Sequence, residues 1–183
     1  GGQQTVLVTD SNERVSQFAL DTGAFIRTFA GSKMCNAGSG DGLFSFPAGI
    51  AVLSDSSGEV AIADCGNHRV QIFDREGNYL RQFGTKGTEE DGQFDHPTSL
   101  ASDAHGNILV TDQRTSRLQV FNSKGKHLCT RSDLGLKAGS TKGLAWGKDG
   151  QLAVANRGGN AVRAWWQQWR SEQQRPGSRR CSE

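Results

Sequence analysis

Apolar and polar, or large and small, side chains alternate with a period of two along most of the chain. Val60 and Ile62 alternate with Ala61 and Ala63, Val70 and Ile72 flank Gln71, and Leu118 and Val120 flank Gln119. Short runs rich in β-branched residues, broken by Gly, Asp, Asn and Ser clusters, predict strands and not helices. One stretch predicts four of them, at residues 48–53, 59–63, 69–74 and 79–84. The turns Asp55-Ser-Ser-Gly58, Arg75-Glu-Gly77 and His105-Gly106 are short enough to close hairpins.

The pattern recurs. The run from Val60 through Asp64, Arg69, Phe73 and Gly77 to Leu80 returns as Ile108, Asp112, Arg117, Phe121, Gly125 and Leu128, displaced by 48 throughout. Upstream, Asp41-Gly42-Leu-Phe44-Ser-Phe-Pro47 returns as Asp91-Gly92-Gln-Phe94-Asp-His-Pro97, displaced by 50. The two-residue difference falls between the turns at 54–58 and 102–106, where insertion costs little. Partial copies flank these: Val6 to Asp10, Arg14, Phe18 and Phe29 on one side, and Gly143 through Leu152 to Asn156, Val162 and Trp165 on the other. A four-strand antiparallel meander repeating at this period predicts an all-β chain of propeller blades. The expected strand numbers are three, four, four and three, which is three and a half blades of a larger ring. An unpaired edge at each end then calls for further blades or a partner chain to close the ring. The expected boundaries are a partial propeller over 1–166, with blades at about 5–31, 44–84, 94–131 and 142–166, and a basic, disordered tail over 167–183.

Composition narrows the class. The 183 residues, 34% hydrophobic, suffice for one domain with a core. A net charge of +2 marks neither a nucleic-acid binder nor a membrane-surface protein by its sum. Its excess lies at the end of the chain, where Arg163, Arg170, Arg175, Arg179 and Arg180 face only Glu172 and Glu183. No apolar run approaches the ~20 residues of a spanning helix. Cys35, Cys65, Cys129 and Cys181 show neither zinc spacing nor the density of a disulfide-stapled scaffold, and no glycosylation sequon occurs. These features predict a reducing, cytoplasmic setting. The start at Gly1-Gly2-Gln3-Gln4, with Met34 as the sole methionine, reads as part of a longer protein.

The combination Val-x-Val-x-Asp, then Arg-Val-Gln-x-Phe, Gly and a Phe-Gly close, clearest in Asp64-Cys-Gly-Asn67-His68-Arg69-Val-Gln-Ile-Phe73, resembles the NHL repeat over roughly residues 5–166. The resemblance implies a β-propeller, commonly of six blades. The Asp-Gly-x-Phe-x-x-Pro openings are similar to those of the C-terminal domain of tripartite-motif (TRIM-NHL) ubiquitin ligases. That similarity implies recognition of RNA or protein by the propeller, with ubiquitin transfer performed by a RING domain that this chain lacks. The fourth copy departs from the pattern, carrying Asn156, Ala161 and Trp165 for Asp, Arg and Phe.

Asp10, Asp64 and Asp112, repeated at strand ends, could ring a metal. The plainer reading is a carboxylate accepting backbone N–H groups at a turn. Arg14, Arg69 and Arg117 read as guanidinium groups held by those carboxylates or by turn carbonyls. Phe18, Phe73, Phe121 and Trp165 read as core between blades. His68, His96, His105 and His127 occupy four different repeat positions, so repeat symmetry does not converge them, and no catalytic motif appears. No catalytic residue, metal ligand or cofactor is expected.

In an antiparallel meander successive turns alternate between ends, so the Asp-to-Arg turns share a face with the links between blades. That face is expected to collect Asn12, Arg14, Asn67, His68, Arg69, Arg114, Ser116, Arg117, Arg157 and Asn160, with Lys33 and Lys86 in the links. Asp41, Glu89, Glu90 and Asp91 make it mixed in charge. Arg and Asn groups can read phosphates and unpaired bases, although few aromatics offer stacking platforms. The expected partner is single-stranded or looped RNA, or a protein, and not a membrane. A metal-dependent propeller hydrolase or lyase, and a purely protein-docking scaffold, are the alternatives the sequence leaves open.

Overall fold

The computed structural model describes residues 4–32, 34, 36–132, 141–147, 151–156 and 161–164. Within them the only helical element is a 3-10 turn, Cys65–Asn67. The strands are β1 (Thr5–Asp10), β2 (Arg14–Ala19), β3 (Phe25–Gly31), β4 (Pro47–Val52), β5 (Val60–Asp64), β6 (Arg69–Phe73), β7 (Tyr79–Phe83), β8 (Thr85–Lys86) and β9 (Gln93–Phe94). They continue with β10 (Pro97–Ser102), β11 (Ile108–Asp112), β12 (Leu118–Phe121), β13 (His127–Arg131), β14 (Thr141–Trp146), β15 (Leu152–Asn156) and β16 (Ala161–Ala164). Among the described residues these form antiparallel sheets ordered β1-β2-β3, β4-β5-β6-β7, β10-β11-β12-β13 and β14-β15-β16, each paired in chain order. The short parallel pair β8-β9 stiffens the link between the second and third sheets. The fold is all-β and propeller-like, and the four antiparallel sheets hold three, four, four and three strands among the described residues.

The period of two has a specific origin. Val60 and Ile62 join a core with Val15, Phe29, Phe44 and Phe73, facing the first blade. Their neighbours Ala61 and Ala63 join another with Leu100, Ile108, Val110 and Phe121, facing the third. Leu109, one residue out of phase with Ile108 and Val110, turns the other way and packs with Leu152 and Val154 of the fourth blade. A middle strand is therefore buried on both faces, and the sequence alternates between two cores instead of between core and solvent. Burying each Val, Ile or Phe contributes roughly 1.5–3 kcal/mol, so blade-to-blade contact is the main source of cohesion. Val6 and Val8 stand in the first copy where Val60 and Ile62 stand in the second, and both are exposed.

The first strands β4, β10 and β14 lie side by side. Gly49 permits this, since a Cβ there would sit 2.7 Å from the Ser99 Cα. The two-residue length difference lies where the repeat places it. Leu53 N–H closes on Glu59 O at 2.8 Å, whereas its counterpart Asp103 closes on Asn107 O at 3.0 Å. One cysteine departs from expectation: Cys129 is disulfide-bonded, where the spacing gave no sign of a staple, while Cys65 is free. No helix among the described residues is long and apolar enough to cross a membrane. Trp165, Lys33 and the tail 167–183 lie outside the described residues.

Candidate functional site

The repeated Asp, Arg and Gln build a clamp. Asp64, fully buried at the end of β5, accepts Ser45 N–H on Oδ1 at 2.8 Å. Its Oδ2 accepts Arg69 Nε at 2.8 Å, Asn67 Nδ2 at 2.9 Å and Gln71 Nε2 at 3.0 Å. Arg69 then spreads its remaining donors over Gly40 O, Leu43 O and Gln82 Oε1. Gln71 closes the circuit by accepting Gly42 N–H and donating to Leu43 O. The third blade repeats the bonds to the link at the expected displacements but not the Arg–Asp pair, since Arg117 Nε donates to Thr115 Oγ1. Asp112 accepts Asp95 N–H, Arg117 donates to Glu90 O and Gln93 O, and Gln119 takes Gly92 N–H and gives to Gln93 O. The clamp ties each Asp-to-Arg turn to the link ahead of its blade, and it brings the two together on one face. Backbone bonds from Gly66 N to Ser45 O and from Gln113 N to His96 O do the same.

The first copy is looser. Asp10 accepts Arg14 Nε and Asn12 N–H, both at 2.8 Å, with the side chains of Asp10 and Arg14 26% and 29% exposed, and Ser16 stands where Gln71 does. Burial pushes the Asp10 carboxyl up, but the bonds from Arg14 and Asn12 outweigh it and hold it below the ordinary value of 3.8. The unfolded chain then takes up a proton before the folded one, so this contribution is complete above pH 3.8 and is lost as pH falls through the lower folded value. Urea midpoints taken from pH 5 to 3 should show Asp10→Asn falling less steeply than the parent, by less than about 1 kcal/mol at this half-exposed pair.

A second set of bonds joins neighbouring blades. The residue before each arginine adopts a left-handed backbone, with φ of 60° at Glu13, 55° at His68 and 55° at Ser116. So does the residue before each blade's proline, with φ of 52° at Phe46 and 66° at His96. Glu13 Oε2 accepts the Phe46 N–H, and His68 Nδ1 accepts the His96 N–H at 3.3 Å. Ser116, buried at the matching position, has no partner for its hydroxyl among the described residues.

These latches position a polar group that the sequence did not foretell. His68 and His96 come from different repeat positions, yet adjacent blades bring their rings to 4.8 Å between centroids. Repeat symmetry is not what brings this pair together: it relates equivalent positions and says nothing of neighbours across a blade boundary. Asp95 Oδ1 lies 2.7 Å from His96 Nδ1 and 3.6 Å from His68 Nδ1, while Arg114 Nε lies 3.5 Å from Oδ2. Burial, followed by His96 and Lys86, holds His68 below the ordinary 6.5. Burial also pushes the nearby Cys65 thiol up to about 11, helped by Asp64, Asp112 and Asp95, so it stays protonated.

The ten expected face residues divide by what they touch. Asn67, Arg69 and Arg117 direct their side-chain donors into the clamps, and His68 holds the next blade. Arg14 is half-buried against Asp10, and Ser116 is buried. Asn12 and Arg114 are exposed. Arg157 and Asn160 lie outside the described residues. The face also presents Lys86, expected there from the link, together with groups outside the expected set: Phe46, 68% exposed, His96 and Lys142. The signal for Phe46 and His96 was their shared place before Pro47 and Pro97, which the repeat displays.

The NHL repeat family matches residues 44–73 and 94–121, within the second and third blades. The chain is 45% identical to RING finger protein nhl-1 of Caenorhabditis elegans over 35% of this chain and 6% of the relative. It is 41% identical to Protein brain tumor of Drosophila melanogaster over 33% of this chain and 6% of the relative. Protein lin-41 of C. elegans is 54% identical over 24% of this chain and 4% of the relative. Among solved structures, a streptogramin B lyase matches 90% of the chain and 48% of its own, at a TM-score of 0.62 and 15% identity. Virginiamycin B lyase from Staphylococcus aureus matches 92% and 50%, at 0.61 and 16%. At such identities these two show the fold alone, and the chain spans about half their length. Repeat, clamp and relatives agree: this chain carries NHL repeats on a β-propeller fold and is similar in sequence to the TRIM-NHL proteins.

Proposed function

We propose that the face of the Asp-to-Arg turns recognises single-stranded RNA. The observation that carries this reading is Phe46, a large aromatic left exposed on that face, on which an unpaired base can stack. Lys86, Lys142 and Arg114 are exposed cations on the same face and supply phosphate contacts. The buried Arg69 and the partly buried Arg117 serve the fold in this reading, and the exposed groups serve the ligand. The parent protein would be a ubiquitin ligase whose propeller selects what is modified, a reading that relatives named for RING-finger and B-box domains support.

Filter binding of a single-stranded oligoribonucleotide at two salt concentrations tests the proposal. Affinity should fall as salt rises, and Phe46→Ala should weaken it roughly 5- to 150-fold with little change in unfolding midpoint. Stability is spared because the Glu13 latch uses the Phe46 backbone and not its ring. Absence of binding at roughly 50 mM salt sinks the RNA reading and leaves protein docking.

A further inference from the structure

We propose that His68, Asp95 and His96 form a binding site for a divalent transition-metal ion of the zinc class, bridging the second and third blades. One ligand atom from each of the three lies within 4.8 Å of the other two, and the three residues are partly buried to buried. They arrive by different routes. His68 sits at the left-handed position of the turn after β5, its N–H returned to Cys65 O. Asp95 and His96 end the link into β10, held by Asp112 and by His68 itself.

The ligand set decides the metal. Two imidazoles and one carboxylate suit zinc, whereas magnesium and calcium require an all-oxygen shell. Three protein ligands leave a fourth position for water or an exogenous group. Arg114 engages the far oxygen Oδ2 of Asp95, which fixes the carboxylate while Oδ1 faces both rings. The 3.3 Å bond from His96 N–H to His68 Nδ1 is long, and it is the contact that coordination through Nδ1 displaces. The exposed cations Lys86 and Arg114 stand nearby and oppose the ion, so its charge is offset by Asp95 with Asp112 behind it. The site borders Arg114 and Lys86 of the proposed RNA face but does not include Phe46, so zinc uptake and base stacking are probed by different variants.

Calorimetric titration of the chain with zinc chloride, and cobalt(II) absorption in the visible region, test the site directly. The parent should take up one zinc ion at this position and gain cobalt bands that zinc removes, while magnesium and calcium give neither. His96→Ala and Asp95→Asn should each abolish both signals, whereas His105→Ala, on a turn at the opposite face, should keep them. Circular dichroism establishes that each variant is folded. His96→Ala is the milder probe, because it leaves the backbone latch to His68 intact. A folded parent that takes up no zinc overturns the proposal, and so does uptake unaltered in both variants.

Discussion

Replacing Asp64 with alanine should cost about 3–5 kcal/mol of unfolding free energy in urea titrations, because it strands a buried guanidinium. Arg69 would keep its bonds to Gly40 and Leu43 but lose its carboxylate partner, while Ser45 N–H, Asn67 and Gln71 lose an acceptor together. The matched change Asp10→Ala provides the contrast. There the carboxylate and guanidinium are 26% and 29% exposed, water replaces the lost contact, and the cost should stay near 1 kcal/mol or below. Equal costs at the two positions would mean that the clamp in the second blade contributes no more than a surface ion pair.

The second large effect is expected at Phe121. Its ring packs against Phe83 at 4.6 Å and Phe94 at 5.6 Å, and meets the His127 ring edge-on at 5.4 Å. Phe83 ends the outer strand of the second blade and Phe94 lies in the link, so this one side chain welds three segments. Phe121→Ala should destabilise the chain by about 3–5 kcal/mol, the range for emptying an aromatic site in a core. Thermal unfolding followed by far-ultraviolet dichroism reads the loss. A cost below about 1 kcal/mol would show that the blades hold together without this aromatic junction.

The fold was legible because its unit is written out more than once. Strand runs, hairpin turns and the Asp-to-Arg spacing recur, and the recurrence makes the period-two pattern unambiguous. Asp64 and Arg69 were legible for the same reason, as partners at a turn. Gln71 and Gln119 were not. A polar residue between two apolar ones reads as an outward-facing alternate, yet both are fully buried because the loop ahead of each blade supplies a backbone donor and acceptor for the amide. Phe46, Asp95 and His96 escaped for a further reason. Their surroundings come from a different blade, and neither spacing nor propensity encodes which side chains meet across that boundary. The left-handed backbone of Phe46 and His96 is also unexpected before proline, where extended conformations prevail.

The latch between blades has an evolutionary corollary. The second repeat carries both an acceptor before its arginine and a donor before its proline, and Glu13 and His68 show that chemically different acceptors serve. Tandem duplication of one repeat therefore yields a newcomer already equipped to grip its successor and be gripped by its predecessor. Deletion heals in the same way. Rings descended from such a chain should differ in size by whole repeats, while the acceptor drifts freely among residues able to receive one amide proton.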